Sequence, residues 1–443
     1  VALNRNRRSA TLHPKGIVGL VLVAASSKDS THLIRCVPNA RHHLRLDNNF
    51  NVMAPKVLVV GAGLGGLRAA EALRGAGFEG ALTVVGDEPA MPYNRPPLSK
   101  EALSAGVHVA ELEFRRKPSV ADVNWRLGSP AIASDFAART VTLADGTHLS
   151  FDGLVIASGI RPRRLPIAGP EGGRHVLRTA HDAMNLRNYL VPGRTAVIMG
   201  AGFIGCEVAA TARGLGAEVH IVAIDEQPMV RPLGAELGMG MRSRHEHHGV
   251  KFHLGRTVLS FLGGEHVTSV LLDDGTELPA SVVVEAVGSV CNVEWLAGNG
   301  LDLTDGLLVD QAMVVAAEVP VVAVGDIARH PNALFGNVPR RIEHWNIPTE
   351  TGRRAGASLA SLMRGEQPDQ APFAAMPSFW SDQYQYKLQS FGMPGLATSI
   401  QIVEGTADDP CIVEYSNDTG LVGVVGVDRT AELAPYRRQL LER

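Results

Sequence analysis

Val57-Leu-Val-Val-Gly-Ala-Gly-Leu-Gly-Gly-Leu67 decides how this chain folds. Four apolar residues run into a G-x-G-x-x-G turn, and the alanine-rich stretch that follows reads as helix. Gly61, Gly63, Gly65 and Gly66 permit a tight turn and let backbone N–H groups approach a pyrophosphate, which then sits on the positive end of the helix. Ala196-Val-Ile-Met-Gly-Ala-Gly-Phe-Ile-Gly205 repeats the pattern with Gly200, Gly202 and Gly205. Two such turns in this setting imply two dinucleotides in one protein. The ordinary reason for that is a flavin fed by a nicotinamide.

Working outward, 443 residues suffice for two or three domains with well-buried cores. A 45% apolar fraction and 20% charge place the chain among globular proteins, and the net charge of −3 gives no pull toward nucleic acid or membrane. Cys36, Cys206, Cys291 and Cys411 are too widely spaced for a disulfide scaffold. They fit a reducing compartment, which points to the cytoplasm.

Residues 1–52 are a different material. They are basic, with Arg5, Arg7 and Arg8 near the start, and the apolar run Ile17–Ala25 is too short to cross a bilayer, which takes about 20 residues. They resemble an export or transit peptide. The other reading is an upstream extension, with translation starting at Met53, since Met-Ala-Pro-Lys leads directly into the first core strand. In either case residues 1–52 stand outside the fold.

Residues 54–160 read as strand, glycine turn, helix and second strand (Ala81–Val85), closing on Leu154-Val-Ile-Ala-Ser-Gly159. Residues 165–285 repeat the scheme, with a helix from about 203 to 215 and a strand at Val219–Val222. Alternating strands and helices mean parallel sheets with crossover helices. Val319-Pro-Val-Val-Ala-Val-Gly-Asp326 looks like the last strand of the first domain. The expected division is therefore 53–160 plus 289–375 for flavin, 161–288 for the nicotinamide dinucleotide, and a small α+β domain over 376–443. Its strands are expected at Ser399–Val403, Cys411–Tyr415 and Leu421–Val427, with a closing helix.

Asp87 follows the second strand, where an acid ordinarily hydrogen-bonds a ribose hydroxyl. Next comes Pro92-Tyr-Asn-Arg-Pro-Pro-Leu-Ser-Lys100. Here, and over essentially everything from Met53 onward, the chain resembles the FAD-dependent NAD(P)H:ferredoxin reductases. The resemblance implies a glutathione-reductase-like α/β fold with a small α+β C-terminal domain. It implies that Arg95 contacts FAD and that Lys100 lies near the flavin N5, where a fixed cation stabilises the reduced ring. Ala157-Ser-Gly-Ile-Arg-Pro-Arg163, Val324-Gly-Asp326, Arg341-Ile-Glu-His-Trp345 and Phe379-Trp-Ser-Asp-Gln-Tyr384 resemble further family segments. By that match Ala131, Arg163 and Asp326 belong to the FAD site, and Trp345 lies against the isoalloxazine. Pro348 and Thr351 depart from the family's usual alanine and glutamine.

Glu207 follows the second turn. The resemblance implies that it reaches the nicotinamide and pairs with Lys100, and that Ile204 and Gly288 also belong to the NAD site. At the end of the second strand, where an acid would select NAD, stands Ala223, with Asp225 and Glu226 just beyond and Arg231 further on. Two nearby negative charges would repel a 2′-phosphate, which favours NADH over NADPH. Ala286-Val-Gly288 also departs from the family's usual G-x-G.

Residues 88–110 hold no cysteine, so a disulfide substrate has no covalent entry and electrons should leave one at a time. The resemblance then implies a [2Fe–2S] ferredoxin serving a cytochrome P450 or a ring-hydroxylating dioxygenase. Rubredoxin reductase is the alternative within enzymes. An NADH-sensing flavoprotein resembling apoptosis-inducing factor is the alternative outside them. His245-Glu-His-His248 has no partner at zinc spacing and reads as a helix C-terminus, so no metal is expected. Arg115-Arg-Lys117, Arg340-Arg341 and Arg353-Arg354 together would make a basic patch for an acidic ferredoxin.

Overall fold

The computed structural model describes residues 45–46, 52–106, 108–315 and 318–443. Arg45–Leu46 pairs antiparallel with Val52–Met53. These few aside, the expectation for residues 1–52 concerns positions outside the described residues.

Val57-Leu-Val-Val60 forms the middle of a five-stranded parallel sheet. Its run of buried apolar residues is what a strand covered on both faces requires. The order across this sheet is Val321–Ala323, Gly153–Ile156, Lys56–Val60, Ala81–Val85 and Asn124–Arg126. A second parallel sheet runs Arg174–His175, Val282–Glu285, Thr195–Met199, Glu218–Ala223 and Val250–Leu254. Four strands of each sheet occupy equivalent places in the same order, so one module occurs twice. Each module also carries a three-stranded antiparallel ladder before the last in chain order of these four strands, starting at Ala131–Asp135 in the first and Val258–Gly263 in the second.

The chain of the second module leaves the first after Gly153–Ile156 and returns to it at Val321–Ala323. The outgoing Ile160–Pro162 and the returning Ser289–Cys291 pair antiparallel. The returning strand is shorter than the apolar run 319–326 because Gly325, at φ +72°, turns the chain away after Val324. The turn delivers Asp326 to the end of the sheet that carries the first glycine turn.

The helix Leu64–Gly75 packs against Ile347–Met363 through small residues. A Cβ on Gly356 would stand 2.4 Å from Ala69 O, so glycine is required for this approach. The C-terminal sheet is antiparallel, in the order Ser378–Gln383, Tyr386–Gly392, Gly420–Val427, Cys411–Asn417 and Ser399–Glu404, closed by the helix Ala434–Leu441. Its first hairpin was not among the expected strands.

His245-Glu-His-His248 does end a helix, Ala235–His247, before Gly249 at φ +83°. Only part of it caps: His248 Nδ1 donates to Arg244 O at 2.8 Å. His245 is fully buried and faces the C-terminal domain instead.

Candidate functional site

A cavity of about 1060 Å³ runs from the first glycine turn to the second. The two turns are built alike. Gly61 (φ +121°) and Gly200 (φ +100°) have backbone conformations that favour glycine, and a Cβ on either would meet a carbonyl of the next strand's end, Ala157 O at 2.0 Å and Ala286 O at 2.3 Å. A Cβ on Gly66 would lie 2.0 Å from Gly61 O, and one on Gly205 would lie 2.2 Å from Gly200 O. These four glycines fold the turns. Gly63 and Gly202 differ, because a Cβ there would meet no protein atom within 4 Å and would project into open space. Each begins a helix with no side-chain cap and no acid in its first turn. Uncapped N–H groups at two open helix ends are the donor set a pyrophosphate needs, so both turns fit a dinucleotide.

On the first module's side, Gly61, Gly63, Gly65 and Asp87 line the cavity, and Asp87 is exposed within it. Arg95 also lines it, fixed by Glu88 at 2.5 Å and by Arg178 O at 2.7 Å. Burial opposes the Arg95 charge, but Glu88 and Tyr93 beside it outweigh that, and its pKa is raised. Tyr93 donates to Glu88 at 2.6 Å and accepts from the N–H of Ala180 at 3.0 Å, which ties this loop to the second module. Asp326 faces Arg178 at 3.5 Å; burial raises its pKa, partly offset by that arginine.

Ala131 and Trp345 also line the cavity. Trp345 stacks on Phe114 at 6.2 Å between ring centroids, half-buried at the cavity rather than sealed in a core. Beside it burial pushes His344 down to about 4, and its Nδ1 has no partner. The departures at 348 and 351 brace the site: Thr351 Oγ1 accepts the N–H of Gly325 at 3.0 Å, and Pro348 packs against Gly325 and Gly65. Arg163 stands apart from this group. It is exposed outside the cavity in the crossover to the second module, with its guanidinium donating to Ser289 O at 3.3 Å. Arg161 lines the cavity, held by Glu294 at 2.5 Å.

Between the two turns stand Lys100 and Glu207, 2.8 Å apart with little solvent exposure. Glu207 comes from the first turns of the helix Phe203–Gly214 and Lys100 from the loop after Pro96-Pro97. The carboxylate also accepts Ser99 Oγ at 2.5 Å and Ser381 Oγ at 2.6 Å. Neither serine was singled out from sequence, although each lies in a quoted segment.

On the second module's side, Gly202, Ile204 and Gly288 line the cavity, whereas Gly200, Gly205 and Asp225 do not. The glycines lie beneath the turn. Asp225 follows the strand Glu218–Ala223 by two residues. One arginine does reach this point: Arg231 pairs with Asp225 at 3.4 Å, while the guanidinium of Arg256, whose backbone N–H donates to Ala223 O, is held by Asp274 at 2.8 Å.

Cys206, Cys291 and Cys411 are free and buried, and burial raises each thiol pKa. None of them lines the cavity. Among the described residues no cluster suited to a metal occurs, and no helix is long and apolar enough to cross a membrane. The expected basic patch is largely offset: Arg341 pairs with Asp305 and Glu343, Arg353 with Glu350, Arg354 with Asp369 and Arg116 with Glu113, while Arg340 donates to two carbonyls.

Residues 55–352 match the pyridine nucleotide-disulphide oxidoreductase family, and residues 378–443 match the reductase C-terminal family. Rhodocoxin reductase of Rhodococcus erythropolis is 32% identical, over 87% of this chain and 89% of its own length. The ferredoxin–NAD(+) reductase component of the p-cumate 2,3-dioxygenase system of Pseudomonas putida is 33% identical, over 88% and 94%. Among solved structures, the covalent putidaredoxin reductase–putidaredoxin complex matches with a TM-score of 0.81 at 31% identity, over 88% of this chain and 94% of that one. The glutathione-reductase-like fold of two dinucleotide-binding domains and a small C-terminal domain stands on these likenesses.

Proposed function

The chain belongs to the pyridine nucleotide-disulphide oxidoreductase family and within it to the ferredoxin reductases, and we propose that it carries electrons from NADH through FAD to a [2Fe–2S] ferredoxin. The ferredoxin in turn would serve a cytochrome P450 or a ring-hydroxylating dioxygenase. FAD would occupy residues 53–160 and 289–375, and the nicotinamide dinucleotide residues 161–288. When bound, the two dinucleotides supply the redox chemistry, in which two electrons and a proton leave NADH and the electrons pass singly to two ferredoxins.

The protein's own part is to bind and orient. The N–H groups after Gly63 and Gly202 take the two pyrophosphates. Asp87 and Asp326 accept from ribose and ribityl hydroxyls, and Arg95, locked by Glu88, holds the FAD end of the loop. Lys100 supplies a fixed positive charge beside the flavin, and Glu207 fixes that ammonium and offers a carboxylate to the nicotinamide amide. Trp345 closes the cavity on the flavin side and limits water.

The observation that carries this reading is the Lys100–Glu207 pair, set between two open glycine turns in one cavity with no thiol in its lining. A site without a thiol suits one-electron delivery to a protein better than exchange with a disulfide. NADH is favoured over NADPH by Asp225 and Glu226 past Ala223, although Arg231 offsets part of that charge. Anaerobic mixing of the flavin-loaded protein with NADH and a [2Fe–2S] ferredoxin tests the proposal. Reduction of the ferredoxin at a catalytic rate supports it, and NADH consumption that leaves the ferredoxin oxidised overturns it.

A further inference from the structure

Glu207 is held from behind by a file of hydrogen bonds that starts in another part of the molecule. Tyr384 OH lies 3.1 Å from His245 Nδ1, and His245 Nε2 lies 2.8 Å from Gln383 Oε1. Gln383 Nε2 then donates to Ser381 Oγ at 2.9 Å, and Ser381 Oγ donates to Glu207 Oε1 at 2.6 Å. The other oxygen, Oε2, takes Ser99 and Lys100.

The file has one self-consistent polarity. Gln383 Oε1 can only accept, so His245 carries its proton on Nε2 and takes the tyrosine proton on Nδ1. Every hydroxyl and N–H then points toward the carboxylate. Burial pushes His245 down to about 4, so the ring stays neutral and keeps that tautomer near neutral pH.

The spacing that makes the file possible comes from matching a strand to a helix. Two residues along the strand Ser378–Gln383 advance about 6.6 Å, and four along the helix Phe203–Gly214 advance about 6.0 Å. Phe379 therefore meets Phe203, at 4.9 Å between centroids, while Ser381 meets Glu207. Alternation along the strand places Gln383 on the same face, buried against the helix Ala235–His247 that carries His245.

We infer that Ser381, Gln383 and His245 are positioning residues that aim the Glu207 carboxylate at the nicotinamide, through contacts made by the C-terminal domain and the last turns of the Ala235–His247 helix. The inference rests on the proposed placement of Glu207 at the nicotinamide. The residues touch neither dinucleotide in that role. They fix which way the carboxylate and, through it, the Lys100 ammonium face.

Calorimetric titration of the oxidised flavoprotein with NAD+ and with ADP-ribose, which lacks the nicotinamide, tests this without turnover. Ser381→Ala should weaken NAD+ roughly fivefold, the worth of one hydrogen bond, and leave ADP-ribose unchanged. Gln383→Leu should show the same selective loss, and it gives the answer alone if Ser381→Ala does not fold. Equal weakening of both ligands would mean a merely structural role and would overturn the inference. So would unchanged NAD+ binding in these variants while Glu207→Gln weakens NAD+ selectively, a result that leaves the placement of Glu207 intact. If Glu207→Gln itself leaves NAD+ unaffected, that placement fails, and the inference fails with it.

Discussion

Lys100 Nζ lies 2.8 Å from Glu207 Oε2, joining the loop of the first module to the helix that follows the second glycine turn. The pair is the point at which two otherwise similar modules face each other across one cavity.

Removing one member leaves the other charged and nearly buried. Lys100→Met should cost about 3 kcal/mol of stability and slow flavin reduction by NADH, followed by stopped-flow bleaching of the flavin. Glu207→Gln keeps hydrogen-bonding atoms and should slow the same step with a smaller loss of stability. Reduction at the parent rate in both variants would remove the pair from the mechanism.

The glycines divide into two kinds, and substitution separates them. Gly66→Ala drives a Cβ to within 2.0 Å of Gly61 O, so this variant should lose flavin and thermal stability together. At Gly202 a Cβ meets nothing in the protein. Gly202→Val should keep flavin and Tm while weakening NAD+ binding by about 1–3 kcal/mol through overlap with the pyrophosphate. Flavin content and NAD+ titration measure both.

Coenzyme choice turns on the end of the strand Glu218–Ala223. Asp225→Ser removes one charge and frees Arg231, its partner at 3.4 Å. The ratio of kcat/KM for NADH over NADPH should fall roughly tenfold, the worth of about 1.4 kcal/mol. A ratio that does not move, or a parent enzyme that already uses NADPH as well as NADH, would contradict the role given to Asp225.

Acid should destabilise the fold through histidines that are buried neutral. Burial pushes His220, His245 and His344 each down to about 4 from the usual 6.5. Between those values the unfolded chain binds protons that the folded chain refuses, so stability is whole above about pH 6.5 and falls as the pH drops toward 4. Each group contributes about 1.4 kcal/mol per pH unit in that window. Scanning calorimetry should show Tm falling over this range, with less fall in His220→Gln. A flat Tm from pH 6.5 to 4.5 would contradict it.

The two-module fold was legible because a glycine turn between an apolar strand and a helix has few alternatives, and Val57–Val60 and Ala196–Met199 say the same thing twice. The cavity's Lys100, Glu207 and Trp345 came from short motifs whose residues do converge. The hairpin Ser378–Gly392 was missed because its buried face carries Ser381, Gln383 and Ser390 where a strand pattern calls for apolar residues. That anomaly is the mark of the polar file behind Glu207, since buried polar groups persist where they have partners. The pairing of Arg231 with Asp225 and the place of Arg163 at the crossover could not be read from spacing, because an arginine's reach is set by folding at a strand end or a crossover.

The central claim is tested most directly by NADH-driven reduction of cytochrome c by the flavin-loaded chain, with and without a [2Fe–2S] ferredoxin. Strong dependence on the ferredoxin is the predicted result. Slow NADH oxidation, indifferent to ferredoxin and rubredoxin alike, would contradict the electron-transfer role and favour a sensing flavoprotein instead.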